Sequence, residues 1–134
     1  MSLATIRTEL ARQIRNETGI RTYDYEPLKA EYPCAVVGWP ESYDLRSTFE
    51  SSTAFTLPVR VEVPLRQDRA ADDKLETIVE ASGSASIAAA IDTDVTLNSS
   101  CDSAIATQVV DFGLRETQPE VFVLTATIMV EVLP

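Results

Sequence analysis

The clearest pattern of apolar and polar positions lies between Phe55 and Val79, where the period changes once. Over residues 55–65 the two kinds of position alternate without a break, so six apolar side chains line one face of a single long strand. From residue 68 the apolar residues recur at helical spacing, as Ala71, Leu75, Ile78 and Val79. The stretch predicts a strand over residues 54–65 that leads directly into an amphipathic helix over residues 68–81.

Two further helices are predicted from the same kind of spacing. Apolar residues fall on one helical face over residues 3–17, with Ser2 as a candidate N-cap and Gly19 just past the end. A shorter helix is predicted over residues 85–91. The helices are thus separated in sequence by a group of strands.

The strand that precedes residue 54 is predicted in two pieces. A short apolar strand covers residues 34–39, and alternation over residues 43–49 predicts a second piece before a polar tip at residues 50–53. Because Pro58 has no N–H, it is expected at an edge or a bulge, where the long strand is not paired regularly on both sides.

Residues 18–33 break the periodicity and read as a long loop. The segment contains Tyr23, Tyr25 and Tyr32. The plain interpretation is a loop that wraps its own core, and the alternative is a contact with a partner, because tyrosine offers a large area with a polar tip.

The last third of the chain predicts a hairpin. Its first strand runs from about residue 105 to 114, the turn lies at residues 117–120, and the second strand extends from residue 122 to 132. The second strand is apolar on both faces, which is typical of a strand with neighbours on both sides.

The order of elements indicates an α+β fold for a single domain over residues 1–134. We expect a mostly antiparallel sheet of about four to five strands, with the N-terminal helix and a two-helix segment packed on it. Long strands leave long edges that a protein must cover or use, and this favours self-assembly.

The net charge argues against two classes of binding partner. With 11 basic and 21 acidic residues, the net charge is −10, which argues against a general nucleic-acid binder and against docking on an anionic membrane. No apolar run approaches a membrane span, and the N-terminus has no signal-peptide pattern, so we expect a protein that stays in a reducing cytoplasm.

Candidate chemistry is sparse. The chain has no histidine, which removes the commonest general base and metal ligand. Cys34 and Cys101 match no metal spacing and read as small buried apolar residues, and the thiolate of Cys34 should be disfavoured. No cofactor motif occurs. The sequence therefore predicts neither an enzyme nor a cofactor.

The acidic residues that cluster in sequence match turns and helix ends. Asp92, Asp94 and Asp102 lack the glycine and the closing glutamate of an EF-hand loop. Glu26 and Glu31 lie in the loop over residues 18–33 with no positioned partner, which speaks against a catalytic carboxylate pair.

At this level of detail the chain resembles the tail terminator proteins of long-tailed, siphophage-type bacteriophages. The segments that carry the resemblance are PCAVVGWPESYD (33–44), FTLPVRVEV (55–63), DRAADDKLETIV (68–79), SASIAAAIDTD (84–94) and the closing VEVLP (130–134). The resemblance covers most of the chain and rests on residue type and order. The segment over residues 18–33 matches least.

The resemblance implies a virion structural protein, assembled in the host cytoplasm and located at the head–tail junction. Its subunits would form a homo-hexameric ring that caps the tail tube, stops tube polymerisation and joins the tail to the head–tail connector protein. Genomic DNA would pass through the lumen without specific binding. The family has no catalytic residues or cofactors to carry over.

On this hypothesis the contacts with other subunits and with the tail tube protein should come from the loops over residues 18–33 and 41–53. The candidate interface residues are Tyr23, Tyr25, Tyr43, Arg46, Phe49 and Arg60. Two alternatives stay open: another neck component, such as a head- or tail-completion protein, and a small ligand-binding or enzymatic α+β domain.

Overall fold

The computed structural model describes residues 3–42, 54–65, 69–119 and 121–134, and within these ranges the chain forms three helices and five strands. In chain order they are α1 (Leu3–Thr18), β1 (Arg21–Tyr23), β2 (Cys34–Val37), β3 (Phe55–Pro64), α2 (Ala70–Val79), α3 (Ile87–Asp92), β4 (Ser103–Gln118) and β5 (Val121–Leu133). The predicted α+β fold is confirmed. Ser2, the strand expected over residues 43–49 and the tip at residues 50–53 lie outside the described residues.

The strands form one sheet in the order β1-β2-β3-β5-β4. Only β1 and β2 run parallel, and the other neighbours are antiparallel. The β3–β5 ladder runs without interruption from Phe55↔Val132 to Pro64↔Val123. As the two apolar faces of β5 predicted, this strand has a neighbour on each side.

All three helices cover the same face of the sheet. Every second residue of β3, beginning at Phe55, packs into a core shared with α1, α2 and α3. Leu10 and Ile14 of α1 are completely buried there. Helix α1 ends where Gly19 takes a positive φ of 75° and donates its N–H to the carbonyl of Arg15. We call the side of the sheet that these helices do not cover the open face.

Strand β1 was not predicted from the sequence. It has three residues within the segment expected to be a loop, and it pairs Arg21–Tyr23 with Cys34–Val36. Three residues are too few to show a period, and the pairing partner is far enough away that local pattern gives no signal. The loop that follows β1 is therefore shorter, and we call residues 24–33 the tyrosine loop.

The prediction that Pro58 lies in an edge strand was wrong, because β3 lies between β2 and β5, but the prediction that β3 is not paired regularly on both sides at Pro58 is confirmed. The register with β2 ends one residue away, at Val37↔Val59, and the N–H of Gly38 donates to the Pro58 carbonyl at 2.8 Å. A residue in an antiparallel strand directs its nitrogen and carbonyl to the same neighbour. The nitrogen of Pro58 therefore faces the point where β2 ends, and no ladder bond is lost.

The two predicted middle helices are present with shorter bounds. Helix α3 begins at Ile87 because the hydroxyl of Ser86 accepts a hydrogen bond from the N–H of Ala89 at 3.1 Å, which is an N-cap.

None of the described helices has the length and apolar character needed to cross a membrane.

Candidate assembly interface

The outer edge of the sheet is formed by β4, which is 16 residues long, whereas β1 at the opposite edge has three. In the part of the chain that the structure describes, no strand pairs with the outer side of β4. An edge of this length presents a row of backbone donors and acceptors that can pair with another chain. The β4 edge can therefore form backbone hydrogen bonds with a partner strand over many more residues than the β1 edge.

Among the described residues, the hairpin of β4 and β5 carries six of the eleven exposed large apolar side chains. They are Ile105, Phe112, Leu114, Val121, Phe122 and Leu133. Leu114 is 60% exposed and pairs with Leu124, and Phe122 pairs with Glu116, so Leu114 and Phe122 lie on the helix-covered face. Leu65 joins them, because its N–H donates to the Phe122 carbonyl. Leu65, Leu114 and Phe122 thus extend the helix-covered apolar face beyond the buried core, and their side chains are exposed to solvent.

A bulge in β4 directs one aromatic ring into solvent. The register passes from Val110↔Thr127 to Gly113↔Thr125, so Asp111 and Phe112 together face one residue of β5. Asp111 has a positive φ of 57°, and Phe112 is 61% exposed. Bulges of this kind bend an edge strand and re-aim a side chain. Phe112 is the aromatic side chain that this bulge displays.

A buried ion-pair network anchors β4 to the rest of the sheet. The carboxylate of Glu62 on β3 is fully buried on the open face. It accepts from Nε of Arg60 at 2.8 Å and from the guanidinium of Arg115 on β4. Arg60 also donates to Glu26 of the tyrosine loop at 2.6 Å. Because a buried carboxylate is stable only when it is paired, this network fixes loop, β3 and β4 relative to one another.

The pKa of Arg60 reflects this environment. Burial acts to lower the pKa, but the hydrogen bonds and charges of Glu26 and Glu62 outweigh burial and raise it. Arg60 was predicted as an interface residue. The structure places it inside the network, where it holds the tyrosine loop on the open face.

The other predicted interface residues fall into two groups. Tyr23 ends β1 and Tyr25 follows in the tyrosine loop, with their rings edge to face and their centroids 5.7 Å apart. The Tyr23 hydroxyl accepts from the N–H of Glu31, and Tyr25 is exposed. Tyr43, Arg46 and Phe49 lie outside the described residues. The described pair therefore lies on the β1 side of the sheet, away from β4.

The cysteines show no sign of reactivity. Both are free and buried. Burial, and then the charge of Glu62, raises the pKa of the Cys34 thiol to about 11, and burial also raises the pKa of Cys101. The expectation of a disfavoured Cys34 thiolate is confirmed.

The carboxylate of Asp94, in the turn after α3, acts as predicted for turn chemistry. Asp94 accepts from Thr96 and from the N–H of Asn98, which lowers the pKa of its carboxyl. Across the four described ranges no group of three or more His, Cys, Asp or Glu residues could hold a metal ion.

Comparison with known proteins adds no family assignment: neither the protein-family models nor the curated proteins that were searched match this chain.

Proposed function

We propose that this protein is a structural subunit that assembles with copies of itself into a ring, and that the ring caps a phage tail tube at the head–tail junction. The observation that carries the proposal is the long edge of β4 with its exposed Phe112 and Leu114. The proposal that the ring is a hexameric tail terminator rests in addition on the resemblance of the segments quoted above.

The sheet offers two different surfaces for self-association. One is the β4 edge, and the other is the β1 side, where Tyr25 is exposed beside Tyr23 at the end of β1. A contact between unlike surfaces is heterologous, and repetition of a heterologous contact gives a closed ring when the rotation between subunits divides a full turn. This is the arrangement that we propose for the ring.

The net charge of the chain raises the subunit concentration that assembly requires. Each subunit carries −10, so free subunits repel one another and stay apart at low concentration. A tube end that holds several subunits side by side raises their local concentration and offsets this repulsion. The same negative charge would let DNA pass through the lumen without binding tightly.

The proposal is tested with a hairpin variant, Phe112→Ser with Leu114→Ser, and a matched control, Val95→Ser, which changes an exposed apolar residue outside the hairpin. Native mass measurement should find the wild type and the control as monomer or hexamer and the hairpin variant as monomer, and only the wild type and the control should add to tail tube ends. Electron microscopy should show single rings of the wild type at tail tube ends.

Other outcomes separate the alternatives. A stable dimer that ignores tail tubes would contradict the proposal. Binding to filled heads, with none to tubes, would favour another neck component instead.

A further inference from the structure

The open face of the sheet contains a trough of about 530 Å³ that extends from the end of β2 to the bulge of β4. Its floor is formed where Pro58 of β3 lies opposite Met129 of β5, and Trp39 lines it just after β2. Glu41 and Asp111 also line this trough. We call it the open-face trough.

Trp39 is held in place yet largely uncovered. Its indole is 67% exposed, and the guanidinium carbon of Arg7 lies 4.1 Å from the ring centroid. Arg7 is itself fixed, because it donates to the carbonyls of Val37 at 2.8 Å and Gly38 at 3.1 Å. A positioned and exposed tryptophan offers a large apolar area at a small loss of conformational entropy, which is typical of an anchor for a partner.

The exposed charges beside the trough are acidic, whereas the guanidinium of Arg7 is buried against the Trp39 ring. Glu41 and Asp111 are both exposed, and in the described ranges neither forms an ion pair. Arg60 also lines the trough, but its charge is offset by Glu26 and Glu62. An apolar floor beside unpaired carboxylates complements an apolar side chain that is followed or preceded by a cation.

We propose that the open-face trough binds an extended segment of another protein that places an apolar side chain on Trp39 and Met129 and a lysine or arginine beside Glu41 or Asp111. A second copy of this chain fits less well, because the copy has 21 acidic residues against 11 basic ones and repels the acidic side chains around the trough. The inference is independent of ring formation and is tested on the isolated chain.

Trp39 is the sole tryptophan of the chain, so its fluorescence reports directly on the trough. The probes are capped peptides with the central sequences Lys-Leu-Leu-Lys, Glu-Leu-Leu-Glu and Lys-Ser-Ser-Lys. We expect the first to shift the emission of Trp39 saturably and the other two to bind at least about tenfold more weakly, since each lacks the cation or the apolar part. A higher salt concentration should weaken the binding of the first peptide.

Two variants separate the trough from general surface charge. The double variant Glu41→Gln with Asp111→Asn should bind the Lys-Leu-Leu-Lys peptide about five- to tenfold more weakly, as expected for the loss of two partly screened charge contacts. Glu80→Gln, an exposed acidic residue on the other side of the sheet, should leave binding unchanged.

Three results would overturn the inference. They are an equal response to the acidic peptide, no saturable shift with any peptide, and a Trp39 that acrylamide fails to quench in the free chain, which would mean that the chain itself covers the trough. A shift of the Trp39 emission with protein concentration alone would identify a second copy as the occupant and would also contradict it.

Discussion

At the scale of single residues, the buried carboxylate of Glu62 connects β3 to β4 through Arg115 and to the tyrosine loop through Arg60. The alternation of β3 assigns Glu62 to the open face, where a carboxylate is expected to meet water. Its complete burial depends on the tyrosine loop and on Arg115, which is 53 positions away in sequence. No local pattern reports a contact of that range, so neither the network nor the enclosed position of Arg60 could be predicted.

The network should make Arg60 important for stability. Arg60→Met removes one of the two cations on a buried carboxylate, and we expect a loss of about 1–3 kcal/mol in the free energy of unfolding measured with urea. The matched control is Arg12→Met, which breaks a solvent-accessible pair with Glu9 and should cost less than about 0.5 kcal/mol. Equal losses in the two variants would refute the buried role of Glu62.

The raised pKa of Cys34 predicts a loss of stability at high pH. The thiol ionises near pH 9.0 in the unfolded chain and near 11 in the folded protein, so its contribution is complete below pH 9 and is lost as the pH rises through 11. After solvent screening is allowed for, the shift corresponds to about 1–2 kcal/mol. Urea unfolding at pH 8 and pH 10.5 should show a larger alkaline loss for the wild type than for Cys34→Ala. An identical pH dependence would contradict the assignment.

At the scale of elements, long periodic segments were predicted well. Helix α1, strand β3 and strand β5 are present close to their predicted bounds, because each has enough residues to show its period, whereas β4 extends to Gln118, four residues past its predicted end and into the predicted turn. The three-residue β1 was missed, and the interior position of β3 was not expected from Pro58. Pairing partners and strand order depend on contacts between distant segments, which is also why the exposed group around Leu114 could be seen only in the folded chain.

The close approach of β2 to β3 at Gly38 gives a test of the strand order. A Cβ at residue 38 would lie 3.0 Å from Cγ of Pro58 and 3.4 Å from its carbonyl oxygen. Gly38→Ala should therefore lower the free energy of unfolding by about 1–2 kcal/mol, as overpacking does.

The matched control is the same substitution in β4, Gly113→Ala, where a Cβ meets nothing within 4 Å. This variant should be neutral or slightly more stable. Pro58→Ala combined with Gly38→Ala should recover part of the loss, and a Gly38→Ala protein as stable as the wild type would disagree with the described contact.

At the scale of the whole molecule, the proposal requires two unlike surfaces on one subunit. A variant with a defective hairpin, Leu114→Glu, and a variant with a defective β1 side, Tyr25→Glu, should each fail to form rings. Because each retains one intact surface, an equimolar mixture should form a one-to-one dimer and nothing larger, as read from native mass spectra at a concentration at which the wild type is hexameric. Two variants that stay monomeric when mixed would point to a symmetric contact through the hairpin alone.

The most direct test of the proposed ring is to add the purified protein to tail tubes assembled from the major tail tube protein of the same genome, and to count rings and tube lengths by electron microscopy. The account predicts a single ring at a tube end and no further growth of capped tubes when more tube protein is added. Tubes that stay bare and continue to elongate at protein concentrations well above those of the tube ends would contradict it.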